Sequence, residues 1–388
     1  MFTVSDSGPA PHDLTSGPVH YLFPTGDNMN YPASVLSLAT MAAAASLLSA
    51  CGDGNPRSPG SPGTTSDAVP PVSASATNST IRLTAAIAAA KNTASTDPMC
   101  TTDKLGDFYW EIGNATDNAP IVSASQGAGS VKSNTYFNIA SASKWIFGAY
   151  VLEKKGINQV RSNNTLKDGL RFMSGYTGFN EDACAGTTNV SACYSAGMGD
   201  NTEQPNQNTI NKFDYDSGHD QKLAVKDLGL GNFTANQLDT EYQNTIGLSK
   251  GFNMAALDPL MAGGMMGTAT DYALFLKKIM KQELVIGSYL GDEAVCALPS
   301  VCPGKVVFSP ILLMNEPWTY SYNHWVESEK GNGSIDAYSS PGKWGFYPWV
   351  SPDRKYYGIL SRHDKAAGAY VESVKCGRQI RKAFMNAL

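Results

Sequence analysis

Apolar residues recur at helical spacing at both ends of the chain and in strand-like runs just inside those ends. Over 81–91, Ile81, Leu83, Ala86, Ile87 and Ala90 make one apolar stripe. Over 370–388, Val371, Val374, Ile380 and Phe384 make another. The runs 107–112 and 120–125 flank an Asn/Asp-rich turn and read as strands, as do 344–350 and 356–361. A helix is expected from Ser141 to about Lys155. The stretch 160–290 is mostly loop and helix, clearest at 268–281, where Tyr272, Phe275, Leu276 and Ile279 share one side. Helix and strands at both ends with helices between predict an α/β (α+β) domain over 81–388, with an all-helical lobe inserted at about 150–290.

The first 80 residues do not fit that pattern. Residues 31–50 are mostly small and apolar and end in Leu48-Ser49-Ala50-Cys51, which resembles a bacterial lipobox whose cysteine is lipidated. Residues 1–51 are therefore expected to be an N-terminal extension and a lipoprotein-type signal. The stretch lacks the usual basic start, because no Lys or Arg precedes Arg57; a start at Met29 would make 1–28 an extension. Residues 52–80, rich in Pro, Gly, Ser, Thr and Ala, read as a flexible tether. The expectation is an exported protein, periplasmic or anchored at the outer membrane, that meets a membrane only through its lipid. A formal charge of −5, without a basic cluster, argues against nucleic acid as a partner.

Cysteine usage agrees with export. Setting Cys51 aside leaves six, an even number. Spacing favours Cys184–Cys193 and Cys296–Cys302 as local staples and Cys100–Cys376 as a tie between the ends, although six cysteines allow fifteen pairings. No C-x-x-C or H-x-x-x-H spacing suggests a metal site.

The candidate chemistry lies at Ser141-Ala142-Ser143-Lys144. A Ser and a Lys three residues apart share one face of a helix. A buried Lys loses ammonium solvation, so its neutral amine can accept a proton from the neighbouring hydroxyl. That points to acyl transfer through a serine ester. The motif alone is common by chance, and its weight comes from the order of the motifs around and downstream of it.

Residues 135–144 (TYFNIASASK), 170–176 (LRFMSGY), 213–217 (FDYDS), 262–273 (AGGMMGTATDYA) and 340–346 (SPGKWGF) form a series. In this order they resemble the landmarks of the serine β-lactamase-like superfamily, in the branch of class C β-lactamases, D,D-peptidases, esterases and nylon-oligomer hydrolases. The resemblance runs from about Ile81 to the C-terminus. It implies an antiparallel sheet flanked by the terminal helices, with a helical lobe inserted. It also implies Ser141 as nucleophile, Lys144 as proton acceptor and Tyr215, as anion or hydroxyl, as relay to the leaving group. The N–H groups of Ser141 and Lys343 would form the oxyanion hole, and Gly342 would allow close approach of substrate. No metal or cofactor is implied.

Two positions depart from the family pattern. Ser340 stands where a Lys or His usually binds a substrate carboxylate, and Ser217 replaces an Asn that commonly holds a substrate carbonyl. Lys343 and Arg362 are the candidate replacements for the missing cation. The departures favour an ester or amide without a free carboxylate over a β-lactam or D-Ala-D-Ala peptide. A β-lactamase or D,D-peptidase is the alternative enzyme, and a non-catalytic envelope-binding lipoprotein the alternative of another class.

Several stretches keep two readings. The aromatics Trp318, Tyr320, Tyr322, Trp325, Trp344, Phe346, Tyr347 and Trp349 are either an apolar cleft or core packing. Residues 178–212 are either a lid or a surface insertion. Gly247-Leu248-Ser249-Lys250-Gly251 fits a G-x-S-x-G elbow but lacks the strand before it and the helix after it. His219, His324 and His363 are the available members for a Ser-His-Asp triad.

Overall fold

The computed structural model describes residues 74–201, 204–255, 258–328 and 333–388. The signal segment, Cys51 and most of the expected tether lie outside these residues.

Eight strands form one antiparallel sheet: β1 (Phe108–Gly113), β2 (Val122–Gln126), β3 (Val295–Cys296), β4 (Thr319–Ser321), β5 (His324–Ser328), β6 (Ile335–Ser339), β7 (Tyr347–Val350) and β8 (Tyr357–Ser361). Their order across the sheet is β2-β1-β8-β7-β6-β5-β4-β3. The N-terminal hairpin therefore joins the C-terminal strand, with Trp110 opposite Leu360. Alternation sorts the two faces. Phe108, Trp110 and Ile112 pack with Trp349 and Leu360 in one core. Tyr109 packs with Tyr357 and Ile359 in the other.

Helix α1 (Ala74–Thr96) lies along the last helix, α4 (Ala369–Asn386), against the first of these faces. The structure starts α1 inside the stretch read as tether. Its inward stripe is Ala86, Ala90 and Ala94, four residues apart, whereas Ile81 falls off that stripe and is 60% exposed. Cys100–Cys376 joins the end of this pair, and Cys184–Cys193 and Cys296–Cys302 are also bonded, as their spacing suggested.

The other face of the sheet meets α3 (Ala269–Met280), capped at its start by Thr268, whose hydroxyl accepts the Asp271 N–H. Between sheet and lobe runs α2 (Ala142–Lys155), buried at every position from Ala142 to Leu152. A helix apolar on all sides belongs in an interior, and this one carries Lys144 into it.

The expected strand 344–350 begins only at Tyr347. Residues 340–346 instead turn between β6 and β7: the Gly342 N–H donates to the Phe346 carbonyl at 2.8 Å, and Gly345 takes φ 101°, which suits only glycine. This turn faces the start of α2.

Candidate active site

Ser141 sits one residue before α2, reached through a short strand, Phe137–Asn138, that pairs with Met265–Gly267. Ala140, just before it, is held at φ 46°, a left-handed conformation costly for a residue with a Cβ. The Asn138 side chain accepts the Ala140 N–H at 2.7 Å and helps hold that bend. Lys144, one turn along, is 2% exposed. Its Nζ lies 3.1 Å from Ser141 Oγ and donates to the Ala262 carbonyl at 2.8 Å. Desolvation pushes the Lys144 pKa down, opposed by the carboxylates of Glu181, Asp220 and Asp216.

Tyr215 completes the group. Lys144 Nζ lies 5.0 Å from the centre of its ring. The ring stacks on Trp325 at 5.3 Å and meets Phe172 and Tyr320 at 5.4 and 5.7 Å. Burial pushes the phenol pKa up, more than the Ser141 and Trp325 side chains pull it down. Of the two forms that sequence left open, these surroundings favour the hydroxyl.

Beneath this pair lies a buried carboxyl that the motifs did not reveal. Asp220 is fully buried, and its Oδ1 accepts the Asn323 side-chain N–H at 2.8 Å. Asp220 Oδ2 and Asn323 Oδ1 are both buried without a partner. Desolvation raises the Asp220 pKa to about 7, against the pull of Lys144 and Asn323.

The rim is polar. The Ser217 hydroxyl donates to Glu181, so it is spoken for within the protein. The other Glu181 oxygen meets Lys343 Nζ at 3.4 Å. Burial opposes ionisation of Glu181, but Lys144, Lys343 and the Ser217 hydroxyl hold its pKa below the usual value. Asp216 accepts the N–H groups of Gly178 and Gly218 at 2.9 and 2.8 Å and so ties the segment carrying Glu181 to the Tyr215 motif. Within 178–212, the described residues form more than a loop. They hold the helix Val190–Met198, pack around Cys184–Cys193 and send Glu181 into the site.

Ser340 and Gly342 pack against the backbone around Ser141. The Ser340 hydroxyl donates to the Ser141 carbonyl at 2.9 Å. A Cβ at Gly342 would collide with the Ile139 carbonyl, so the close approach made there is by the chain itself. The N–H groups of Ser141 and Lys343 have no backbone acceptor among the described residues. Arg362 lies elsewhere, buried and donating to Ser373, Leu105 and Ala369.

Two clefts meet at Ser141. One is mostly apolar and includes Tyr215, Ile311, Met314, Trp318, Trp325 and Tyr370, with Lys343 also lining it. The other includes Glu181, Asp182, Asp258, Lys343 and Trp344. The aromatic stretch thus divides: Trp318 and Trp325 line a cleft, Trp344 lines the other, and Tyr320, Tyr322, Phe346, Tyr347 and Trp349 are core. Residues 310–314 went unnoticed in the sequence, where only their run of apolar side chains marked them.

The rival nucleophile is otherwise engaged. Ser249 donates to Asp271 at 2.6 Å, in a turn after a helix. His219 is held between Ser174 and the Asp214 carbonyl, and His324 between the Tyr322 carbonyl and the Gly291 N–H. Desolvation lowers their pKa values to about 3 and about 4. His363 stacks on Phe137 and meets Trp344 at a tilt, with ring centres 5.1 Å apart.

No family model and no curated protein matches the sequence. Solved structures do match the fold. A putative β-lactamase from Bacteroides dorei is 17% identical, with a TM-score of 0.52 over 73% of this chain and 94% of that one. EstCE1, a hydrolase with promiscuous acyltransferase activity, is 12% identical, with a TM-score of 0.51 over 78% and 98%. The D-amino acid amidase of Ochrobactrum anthropi is 10% identical, with a TM-score of 0.51 over 79% and 99%. The chain has the fold of the serine β-lactamase-like superfamily.

Proposed function

We propose that this protein is a serine hydrolase that cleaves a carboxylic ester or amide through an acyl-enzyme on Ser141. The observation that carries the reading is Lys144 Nζ, buried and 3.1 Å from Ser141 Oγ, with no carboxylate among its hydrogen-bond partners. A neutral amine there accepts the Ser141 proton as Oγ attacks the carbonyl carbon. The N–H groups of Ser141 and Lys343 receive the developing oxyanion. Tyr215 donates its hydroxyl proton to the leaving group and regains one from the Lys144 ammonium. Water then attacks the ester carbon, gives its proton to the same groups and releases the acid and Ser141.

A substrate carboxylate finds little support at the site. Lys343 is engaged by Glu181, Ser340 by the Ser141 carbonyl, and Arg362 lies in the core. That favours esters and amides over β-lactams. Two structures of similar fold carry the names hydrolase and amidase, which agrees with this reading. The three disulfides and the lipobox-like Leu48–Cys51 support our further proposal of an exported, lipid-anchored protein.

The test is labelling of the full chain with a fluorophosphonate, followed by peptide mapping. An adduct on Ser141 that is lost in Lys144→Ala is expected. No adduct, or an adduct on Ser249, would defeat the mechanism.

A further inference from the structure

Large apolar side chains stand exposed mostly one at a time, which needs no explanation. One stretch is different: Val301, Val307, Phe308, Leu312 and Leu313 are all exposed, Leu313 by 68%. Contiguous apolar surface of this kind marks a binding site. From Val306 to Met314 the sequence VVFSPILLM carries no charge.

This stretch is built into the catalytic site. The strand Val306–Phe308 pairs in parallel with Phe213–Asp214, and the Tyr215 N–H donates to the Phe308 carbonyl at 3.0 Å. The Tyr370 hydroxyl donates to the Pro310 carbonyl at 2.8 Å. Cys296–Cys302 staples the chain just upstream. The 3-10 turn Pro310–Leu313 then faces two ways. Pro310 and Ile311, with Met314 after the turn, line the apolar cleft beside Ser141, while Leu312 and Leu313 face out. One four-residue turn and the residue after it thus supply both part of the cleft wall and two exposed leucines.

We propose that this lip is the outer half of the substrate pocket, and that the substrate is an ester or amide bearing a long apolar chain. The chain runs from the Ser141 cleft past Ile311 and Met314 and out over Phe308, Leu312 and Leu313. The inference rests on the hydrolase reading above and names its substrate class. Each methylene that leaves water on such a surface multiplies affinity by roughly two to four.

The experiment is a chain-length series of nitrophenyl esters, acetate to decanoate, kept below micelle formation. In the wild type, kcat/KM rises at least 100-fold from acetate to decanoate, mainly through KM. Leu312→Asp/Leu313→Asp cuts the decanoate-to-acetate ratio at least tenfold without lowering the unfolding midpoint. Leu274→Asp, at an exposed leucine on α3, leaves the ratio unmoved and serves as control. A flat series, or a ratio that survives the lip variant, overturns the proposal. So does a dimer that the lip variant splits, since the occupant is then a second copy. If Ser141 is never acylated, the hydrolase reading fails, yet the lip remains testable. Ser141→Ala protein is titrated with the same two esters, read by fluorescence of Trp318 and Trp325. Tighter binding of decanoate supports the lip; equal binding, or none, overturns it.

Discussion

Two lysines flank Ser141, one in the floor of the site and one on its rim, and burial gives them opposite chemistry. Lys144 is closed off from water and bonded only to a hydroxyl and a carbonyl, both of which a neutral amine satisfies. Lys343 is half exposed and rests against Glu181 and the face of Trp344, where an ammonium keeps its solvent. The floor is a place where charge is expensive; the rim is a place where charge is cheap and screened. The residue type is the same, so the difference in environment comes from the surroundings alone.

The comparison breaks most sharply at Lys144. Lys144→Ala should lower kcat/KM for an activated ester by about 10⁴, near the upper end for a general base. In the wild type the rate should rise with pH along a limb below the ordinary lysine range, because burial lowers the Lys144 pKa and the proposed base is the neutral amine. A limb at or above about 10.4, the value for a free lysine, would put Lys144 in water and abolish the contrast.

Tyr215 tests whether the floor works without charge. Tyr215→Phe keeps the ring against Trp325, Phe172 and Tyr320 and removes the hydroxyl, with its bonds to the Ser141 and Trp325 side chains. We expect kcat to fall about 10³-fold while stability drops by only about 1–2 kcal/mol, the cost of lost buried hydrogen bonds. Burial raises the phenol pKa, so Tyr215 should add no falling limb below the ordinary tyrosine range. A limb near pH 8 that disappears in Tyr215→Phe would identify a tyrosinate instead.

Asp220 reads the cost of charge in the floor directly. Its folded pKa, about 7, lies above the unfolded value of about 3.9. Between those values the unfolded chain releases a proton that the folded chain keeps. Stability is therefore full below about pH 4 and is lost as pH rises through about 7. Asp220→Asn leaves an acceptor for the Asn323 side-chain N–H and cannot ionise. It should gain on the order of 2–4 kcal/mol relative to wild type at pH 8.5 and nothing at pH 4. Thermal unfolding at the two pH values gives the answer.

These residues also mark where the sequence stopped being readable. Ser141 and Lys144 are one helical turn apart, so their proximity follows from local geometry and could be read directly. The terminal helices and the strands beside them were legible because their apolar positions repeat at fixed spacing. The cysteine pairs were legible because two of them close short loops. Asp220 and Asn323 meet across 103 positions, and Glu181 and Ser217 across 36. Nothing in a local pattern signals a meeting of that kind. The same holds for Ser340, whose place in the motif suggested substrate but whose hydroxyl supports the Ser141 carbonyl. Strands β4 to β6 were hidden for another reason. Their aromatics fit either core or cleft until the sheet assigns each a face.

The rim should respond least, and in a direction that links it to the floor. Glu181→Gln leaves an acceptor for the Ser217 hydroxyl but removes the charge facing Lys343. An ion pair this open to solvent contributes at most about 1 kcal/mol, so the unfolding midpoint should barely move. The Glu181 carboxylate also raises the Lys144 pKa, against desolvation. Removing it should therefore shift the rising limb of the pH–rate profile to lower pH while the plateau falls no more than threefold. A shift to higher pH would mean that Glu181 does not act on Lys144 through charge. A tenfold loss on the plateau would mean that Glu181 touches the substrate, and the polar cleft would then belong to recognition as much as the apolar one.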